Sequence, residues 1–306
     1  MSAPRRNKRP ISGWLVLDKP YGMTSTEAVA KVRWLFQAEK AGHAGTLDPL
    51  ATGILPIALG EATKTVPMVQ DGTKTYLFTV KWGEATSTDD REGAVIATSP
   101  VRPEREAILA VLPQFTGTIS QRPPAFSAIK VAGERAYDLA RAGETVELAE
   151  RLITIDSLTL TASDAETATF EAICQKGTYV RSLARDMALA LGTQGHVIAL
   201  RRSAVGGFTQ ADCVTIDTIE PLELPGRDAL LNPIASGLQD LPEIRLDPRQ
   251  AGMVRQGNGV LLIGANAPIA LENCWASSRG EAVAIGMVEN GQFKPRRVLL
   301  GTGGAV

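Results

Sequence analysis

Patterns of apolar residues predict a strand and then a helix near the start of the chain. Residues 13–18 form a short apolar run that ends at the turn residues of 19–22, as a buried strand does. Thr24 and Glu27 then have the spacing of a capping box. Apolar residues recur at helical spacing after it, at Val29, Val32, Leu35 and Phe36. We expect this helix to end before Gly42.

The middle of the chain predicts two strands and a second helix. Residues 74–82 alternate between apolar and polar, with Tyr76 near the leading end, and residues 167–174 form another strand. After the Gly177 turn, an inward-facing stripe predicts a helix, at Val180, Leu183, Met187 and Leu191. Residues 54–60 are too short and too interrupted by Pro56 to predict a helix.

Residues 121–148 are polar and rich in Pro, Gly and charge, which predicts a mobile insertion with one short helix at 134–141. Past Gly237 the pattern changes to short strands, at 259–263, 270–276, 282–288 and a last one through Val298. Asn290-Gly291 is a strong hairpin signal. We therefore expect an α+β protein with a large domain at 1–236 and a small β-rich domain at 237–306.

Composition places this 306-residue chain among globular proteins, with 44% hydrophobic and 21% charged residues. Three cysteines without CxxC spacing indicate neither a disulfide framework nor a zinc cluster. There is no secretory signal and no apolar run of about 18 residues, so we expect a soluble, cytoplasmic protein. Although the net charge is −1, local basic clusters could contact phosphates, and they contain Lys130, Arg135, Arg141, Arg181, Arg185, Arg201 and Arg202.

The sequence GHAGTLDPLATG at 42–53 contains the best candidate for a reactive group. Asp48 stands between glycines at 42, 45 and 53 that permit unusual turns, and Pro49 restricts its backbone. An ordinary Asp-Pro turn has the same local chemistry. We therefore treat Asp48 as a candidate nucleophile that needs support from the rest of the chain.

Arg181 lies in the first turn of a predicted helix, where the helix dipole favours negative charge, so it needs an acidic neighbour. If that neighbour is Asp48, the guanidinium would keep the carboxylate ionised. Tyr76 and Tyr179 could then hold an unstacked base with their aromatic faces. No Walker loop, GxGxxG fingerprint or metal-spaced His/Cys cluster is present, so we expect neither a cofactor nor a metal.

Five segments, in order and spacing, resemble the TruB family of tRNA pseudouridine-55 synthases: GWLVLDKP at 13–20, GHAGTLDPLATG at 42–53, KTY at 74–76, KGTYVR at 176–181 and LRR at 200–202. Thr46 departs from the alanine that many members have. The resemblance implies a pseudouridine synthase fold with a central, mostly antiparallel sheet flanked by helices, and a PUA-like RNA-binding domain at the end. It also implies that uridine in the T-arm loop of tRNA, at position 55, is isomerised after the base is flipped out.

The same resemblance implies roles for single residues. Asp48 would be the essential nucleophile or base, Tyr76 would stack on the uracil, and Arg181 would pair with Asp48. The uracil pocket would be lined by Tyr179 and Leu200, while His43 would fill the space that the flipped base leaves. The insertion would act as a thumb that clasps RNA. Candidate RNA contacts are Lys19, Lys64, Lys130, Arg141 and Arg202.

Three other functions stay open on the sequence. A non-catalytic tRNA-binding or tRNA-folding protein would use the same basic clusters but would not need Asp48. A glycosidase-like hydrolase would need a second carboxylate about 5–9 Å away, for which the neighbouring chain offers only Glu39 and Glu61. An rRNA-modifying synthase is the third. Since no apolar stripe remains outside the expected core, we expect a monomer.

Overall fold

The structure is a computed structural model that describes residues 8–127, 130–131, 134–135 and 148–300. The chain divides into two compact units. The first unit contains the chain up to residue 49, residues 53–72 and everything from 205 onward. The second contains residues 50–52 and 73–204. No helix in the described ranges combines the length and the apolarity needed to cross a membrane.

The strands of the described residues are β1 (Gly13–Lys19), β2 (Ala41–His43), β3 (Thr52–Leu59), β4 (Lys74–Trp82), β5 (Glu84–Thr86), β6 (Val95–Thr98), β7 (Gly117–Gln121), β8 (Lys130–Val131), β9 (Glu134–Arg135), β10 (Arg151–Ser163), β11 (Thr167–Cys174), β12 (Gly195–Val205), β13 (Phe208–Thr209), β14 (Glu243–Arg245), β15 (Val260–Leu261), β16 (Leu271–Ser278), β17 (Glu281–Glu289) and β18 (Gln292–Val298). The α-helices are α1 (Ser25–Leu35), α2 (Val66–Asp71), α3 (Arg105–Val111), α4 (Val180–Ala190), α5 (Ile216–Ile219), α6 (Leu224–Asp228) and α7 (Pro248–Arg255).

In the first unit, the predicted start of α1 is confirmed. The Thr24 hydroxyl accepts the Glu27 backbone N–H at 3.1 Å, and the Glu27 carboxylate accepts the Thr24 N–H at 2.8 Å. These two bonds satisfy N–H groups that the first helical turn leaves without partners. Val32 and Leu35 are buried as predicted, while Val29 is only half-buried because Ala28 faces the core instead.

The sequence does not predict strand β3, and its burial explains why. β3 pairs antiparallel with β1, from Gly13 opposite Leu59 to Lys19 opposite Gly53. Seven of its eight residues are buried, so the strand is apolar on both faces and lacks the alternation of a half-exposed strand. Pro56 cannot donate a hydrogen bond, but its carbonyl accepts the Ala44 N–H at 2.9 Å.

The last part of the first unit forms a five-stranded sheet in the order β14-β16-β17-β18-β15. Its Asn290-Gly291 hairpin is confirmed, with φ of +52° and +72° at the two turn residues. Helix α7 is not among the elements predicted from the sequence, although Asp247 and Gln250 form a capping box at its start. Trp275 and Ile285 of this sheet pack in one core cluster with Leu238, and Met68 and Ile234 pack against that cluster.

The second unit contains a sheet with the strand order β12-β4-β11-β10-β7. The predicted alternation of β4 is confirmed, because Phe78, Val80 and Trp82 are buried between more exposed residues. Phe78 stacks on Phe170 of β11 at a centroid distance of 5.3 Å. In α4 the predicted stripe is buried through Met187, but the helix ends at Ala190 and Leu191 is its half-buried C-cap.

The predicted mobile insertion needs two corrections. Its first residues, 121–127, are bonded to α4: the Ser182 hydroxyl donates to the Arg122 carbonyl at 2.8 Å, and Gln121 bonds to Tyr179. Glu134 and Arg135 form a strand opposite β8 rather than the start of a helix, because Lys130 pairs with Arg135 in a short antiparallel hairpin. The rest of the predicted helix, with Arg141, lies outside the described residues.

Candidate active site

The backbone before Asp48 is held by one buried hydroxyl. Ser25, the first residue of α1, donates its Oγ hydrogen to the Leu47 carbonyl at 2.9 Å and accepts the Leu47 N–H at 2.8 Å. Ser25 and Leu47 are each 3% exposed. Both polar backbone groups of the residue before Asp48 are therefore satisfied by a single side chain on a helix that its capping box anchors.

The backbone after Asp48 is hydrogen-bonded to Lys19, the last residue of β1, and to the turn that follows it. The Pro49 carbonyl accepts the Gly22 N–H at 2.8 Å and faces the Lys19 ammonium at 3.4 Å. Lys19 also donates to the carbonyls of Pro20 and Met23, at 3.0 and 2.7 Å. Its side chain is completely buried, so the prediction that Lys19 contacts RNA phosphates is wrong. Backbone carbonyls solvate this ammonium in place of water.

The glycines of the Asp48 loop do not all have the expected role. Gly45 and Gly53 have φ of +97° and +96°, which confirms that they adopt a backbone conformation that other residues resist. Gly42 instead lies in β2 and does not have a positive φ. A Cβ added at this position would lie more than 4 Å from any heavy atom beyond its chain neighbours. His43 follows it in β2, half-buried and opposite Ile57 of β3. Asp48 itself is half-buried.

Arg181 has the acidic neighbour that its helix position requires. Its Nη1 lies 3.6 Å from Asp90 Oδ2, and both side chains are about 95% buried, with 5% and 4% exposed. Nη1 also donates to the Thr88 carbonyl, and Nη2 donates to the Phe126 carbonyl, each at 2.9 Å. The pairing of Arg181 with Asp48 stays a prediction.

Asp90 is a residue of the site that the sequence analysis does not single out. Its Oδ1 accepts the Thr88 hydroxyl at 2.5 Å and the Glu92 N–H at 3.0 Å, which fixes the carboxylate within the turn between β5 and β6. The sequence feature that could have predicted Asp90 is the acidic pair Asp89-Asp90 in this Thr- and Gly-containing turn. Its two negative charges complement the positive charges of Arg181 and Arg185, which have the i, i+4 spacing of one helix face.

Tyr179 is the N-cap residue of α4, and two further residues hold it. The Gln121 side chain accepts the Tyr179 N–H at 2.8 Å and donates to the Tyr179 carbonyl at 3.1 Å. The Arg151 guanidinium lies 4.9 Å from the centre of the Tyr179 ring and donates to the Gly177 carbonyl at 2.6 Å. Gln121 and Arg151 are not predicted from the sequence, because both lie far from Tyr179 in the chain.

The other predicted site residues occupy different environments. Tyr76 is half-buried in β4 opposite Ala172, and Leu200 is 7% exposed in β12. Arg202 is 1% exposed, which does not favour its predicted contact with RNA. Lys64 is partly exposed and donates to Glu61 at 2.7 Å and to the Val298 carbonyl at 2.9 Å. Lys130 is described by its backbone alone.

No group of three or more His, Cys, Asp or Glu side chains in the described part of the chain could hold a metal ion. Within the second unit, the candidate residues and their partners are the carboxylate of Asp90, the guanidinium group of Arg181 and the rings of Tyr76 and Tyr179. Such a set can hold a proton, stabilise a developing charge and stack on a planar base.

Comparison with known proteins identifies the class of enzyme to which this fold belongs. Residues 33–180 match the family model for the N-terminal domain of TruB family pseudouridylate synthases, and residues 181–238 match the model for the tRNA pseudouridylate synthase B C-terminal domain. The fold is similar to that of a solved Cbf5-Nop10-Gar1 complex, with a TM-score of 0.75 and 24% identity over 98% of this chain and 91% of that one. The protein therefore has a pseudouridine synthase fold.

The similarity extends to whole proteins. A Brucella ovis protein named tRNA pseudouridine synthase B is 54% identical, with 96% of this chain and 97% of that protein covered. The Rhizobium meliloti protein of the same name is also 54% identical, over 97% of this chain and 99% of that protein. The chain belongs to the TruB family of pseudouridylate synthases, and it is an enzyme of the isomerase class.

Proposed function

We propose that this enzyme converts uridine to pseudouridine in the T-arm loop of tRNA, at position 55, with Asp48 as the essential catalytic group. The name and the 54% identity of the Brucella ovis and Rhizobium meliloti relatives support tRNA as the substrate. Acting on tRNA would place the reaction in the cytoplasm.

The observation that carries the proposal is the support on both sides of Asp48. The Ser25 hydroxyl binds both backbone groups of Leu47, and the Gly22 N–H binds the Pro49 carbonyl. Asp48 itself is half-buried. A carboxylate on a fixed backbone needs little reorganisation before it reacts, which is what a catalytic group requires.

The reaction needs no oxidant, reductant or metal. The C1′–N1 bond of uridine breaks, the base turns, and a C1′–C5 bond forms, while C5 loses one proton and N1 gains one. A base inside a folded loop must first be flipped out, at a cost of a few kcal/mol. In the proposal Asp48 acts at the base or the ribose, and Arg181 would pair with Asp48.

The remaining site residues would hold the flipped base. Tyr76 would stack on the uracil and take part in proton movement, and Tyr179 and Leu200 would line its pocket. His43 would fill the space that the base leaves in the RNA. The partly buried Tyr76 and Tyr179 suit this role, since each offers an aromatic face beside a polar group.

We assign catalysis to residues 1–236 and additional RNA binding to a PUA-like domain at 237–306, in a protein that acts as a monomer. The separate sheet that begins at Glu243 supports this division. Lys64 joins the two parts within the first unit, since it donates to Val298 of the last strand.

The test is site-resolved mapping of pseudouridine in unmodified tRNA transcripts incubated with wild-type protein, Asp48→Asn or the control Asp217→Asn. Asp217 is an exposed aspartate in α5. We expect product at position 55 with the wild type and with the control. Asp48→Asn should give none while binding the transcript with an unchanged Kd.

Two results would contradict the proposal. Product at another uridine, with position 55 unmodified, would remove the T-arm assignment. Appreciable turnover by Asp48→Asn at position 55 would remove Asp48 from its role, and release of free uracil would instead indicate a hydrolase.

A further inference from the structure

Arg185 is a half-buried arginine of α4 that the sequence places in a basic cluster and to which the proposed reaction assigns no role. It lies one helical turn after Arg181, on the same face. Two guanidinium groups placed this way repel each other, and partial burial strengthens the repulsion. The chain offsets this cost with consecutive aspartates, because Asp89 faces Arg185 and Asp90 faces Arg181.

The two ion pairs differ in strength. Arg185 Nη1 lies 2.9 Å from Asp89 Oδ2, a direct charge-assisted hydrogen bond, whereas Arg181 Nη1 lies 3.6 Å from Asp90 Oδ2. Asp186 also accepts from Arg185 Nε at 2.9 Å. Although burial lowers the pKa of Arg185, the charges of Asp89 and Asp186 raise it overall. Burial also raises the pKa of the Asp89 carboxyl against the lowering effect of Arg185, so the short distance, and not the pKa shifts, supports this pair. Arg185 therefore makes the shorter of the two ion pairs between α4 and the β5–β6 turn.

Asp89 connects its ion pair with Arg185 to Arg181 through the adjoining backbone of Thr88. Its φ is +59°, a conformation that is uncommon outside glycine but is adopted by aspartate. The Asp89 carbonyl accepts the Val197 N–H at 3.1 Å. In this conformation the Asp89 carboxylate binds Arg185, while the carbonyl of the preceding residue, Thr88, accepts from Arg181.

Arg185 also holds the second segment that binds Arg181. Arg185 Nη2 donates to the Arg122 carbonyl at 3.0 Å, at the start of residues 121–127. The Phe126 carbonyl of the same segment accepts from Arg181 Nη2. Both carbonyls that orient Arg181 therefore belong to segments that Arg185 binds directly.

We propose that Arg185 is a positioning residue of the active site, which sets the orientation of the Arg181 guanidinium by holding the β5–β6 turn and residues 121–127 against α4. The inference rests on the proposed function for its catalytic consequence. Its structural consequence, a displacement of Arg181 when Arg185 is replaced, does not depend on which RNA is the substrate.

The test compares Arg185→Gln with Arg102→Gln, a matched control in the same unit. Arg102 also binds one carboxylate, Glu166 at 2.9 Å, and two backbone carbonyls, those of Ser99 and Val101. None of these groups contacts Arg181 in the described hydrogen bonds. Three measurements are made on each protein: kcat and KM on the tRNA transcript, Tm, and the NMR spectrum of 15N-arginine-labelled protein. The Arg181 Nε–H signal is assigned from its absence in the spectrum of Arg181→Lys.

We expect Arg185→Gln to lower kcat about 10- to 100-fold with little change in KM, as a small displacement of a positioned group does. The Arg181 Nε–H signal should shift in Arg185→Gln and stay in place in Arg102→Gln, while Tm falls to a similar extent in both. Asp89→Asn should lower kcat as well, and the double variant should lose less than the product of the two single effects.

An unshifted Arg181 signal in folded Arg185→Gln would overturn the inference, whatever the activity of the wild type. A kcat within twofold of wild type would also overturn it, as would an equal loss of kcat in Arg102→Gln. Absence of product at position 55 with the wild type would count against the proposed function instead, and the spectrum would still decide the role of Arg185.

Discussion

Replacing Ser25 with alanine tests whether the support of the Asp48 loop is as strong as the hydrogen bonds indicate. The substitution removes the donor to the Leu47 carbonyl and the acceptor of the Leu47 N–H, which are 2.9 and 2.8 Å from Ser25 Oγ. A buried backbone group without a partner costs about 1–3 kcal/mol. For two groups, with partial recovery by water, we expect a loss of about 2–4 kcal/mol.

Amide hydrogen exchange measures this loss at the residue concerned. Since each 1.4 kcal/mol is a factor of ten, exchange of the Leu47 amide should be faster by about 30- to 800-fold in Ser25→Ala. The control is Ser277→Ala, because Ser277 is also 3% exposed and donates to Glu243 at 2.6 Å. It should leave the Leu47 amide unchanged. If Asp48 acts as proposed, kcat should fall about 10- to 100-fold in Ser25→Ala alone.

Two outcomes would refute this reasoning. Leu47 exchange within threefold of wild type would mean that Ser25 does not hold the loop. Faster exchange with an unchanged kcat would mean that catalysis does not depend on a fixed Asp48 backbone.

Three further predictions follow from the same structure. Gly45→Ala should lower the free energy of unfolding in urea by about 1 kcal/mol or more, because φ at Gly45 is +97°. The control Gly42→Ala should be tolerated, and equal effects of the two substitutions would contradict the assignment of strain to Gly45. Lys19→Met should cost about 1–3 kcal/mol, because the carbonyls of Pro20 and Met23 lose a charged donor. The salt dependence of tRNA binding should stay unchanged, whereas loss of a phosphate contact would reduce its slope by about 0.7–0.9. Burial raises the pKa of the Cys174 and Cys274 thiols to about 11, so alkylation at neutral pH should modify the half-buried Cys213 first. Mass spectrometry of the modified peptides measures this order, and earlier modification of Cys174 would show that its surroundings open readily.

Local signals in the sequence predict much of the secondary structure. The capping box of Thr24 and Glu27 and the Asn290-Gly291 hairpin are each formed within four residues of chain, so their chemistry is visible in the sequence. The alternation of β4 is similarly local. β3 escapes prediction because burial on both faces removes its alternation, and its Pro56 resembles a strand breaker.

The candidate site is predicted less completely. Asp48 and Arg181 are predicted from residue type and position, and the expected acidic neighbour of Arg181 is present as Asp90. Lys19 and Arg202 look like surface cations because charge is visible in a sequence while burial is not. The bonds of Lys19 to backbone carbonyls have no signature in residue type.

The sequence by itself determined the α+β class and the family to which the chain belongs, and it predicted Asp48 as the catalytic aspartate, since these depend on short motifs and on residue order. Only the tertiary structure decided which groups hold the candidate residues: Ser25 is bonded to Leu47 before Asp48, and Asp89 lies opposite Arg185 across 96 positions of chain. The physical reason is that hydrogen-bond partners and burial depend on contacts between distant segments, and local pattern carries no record of those contacts.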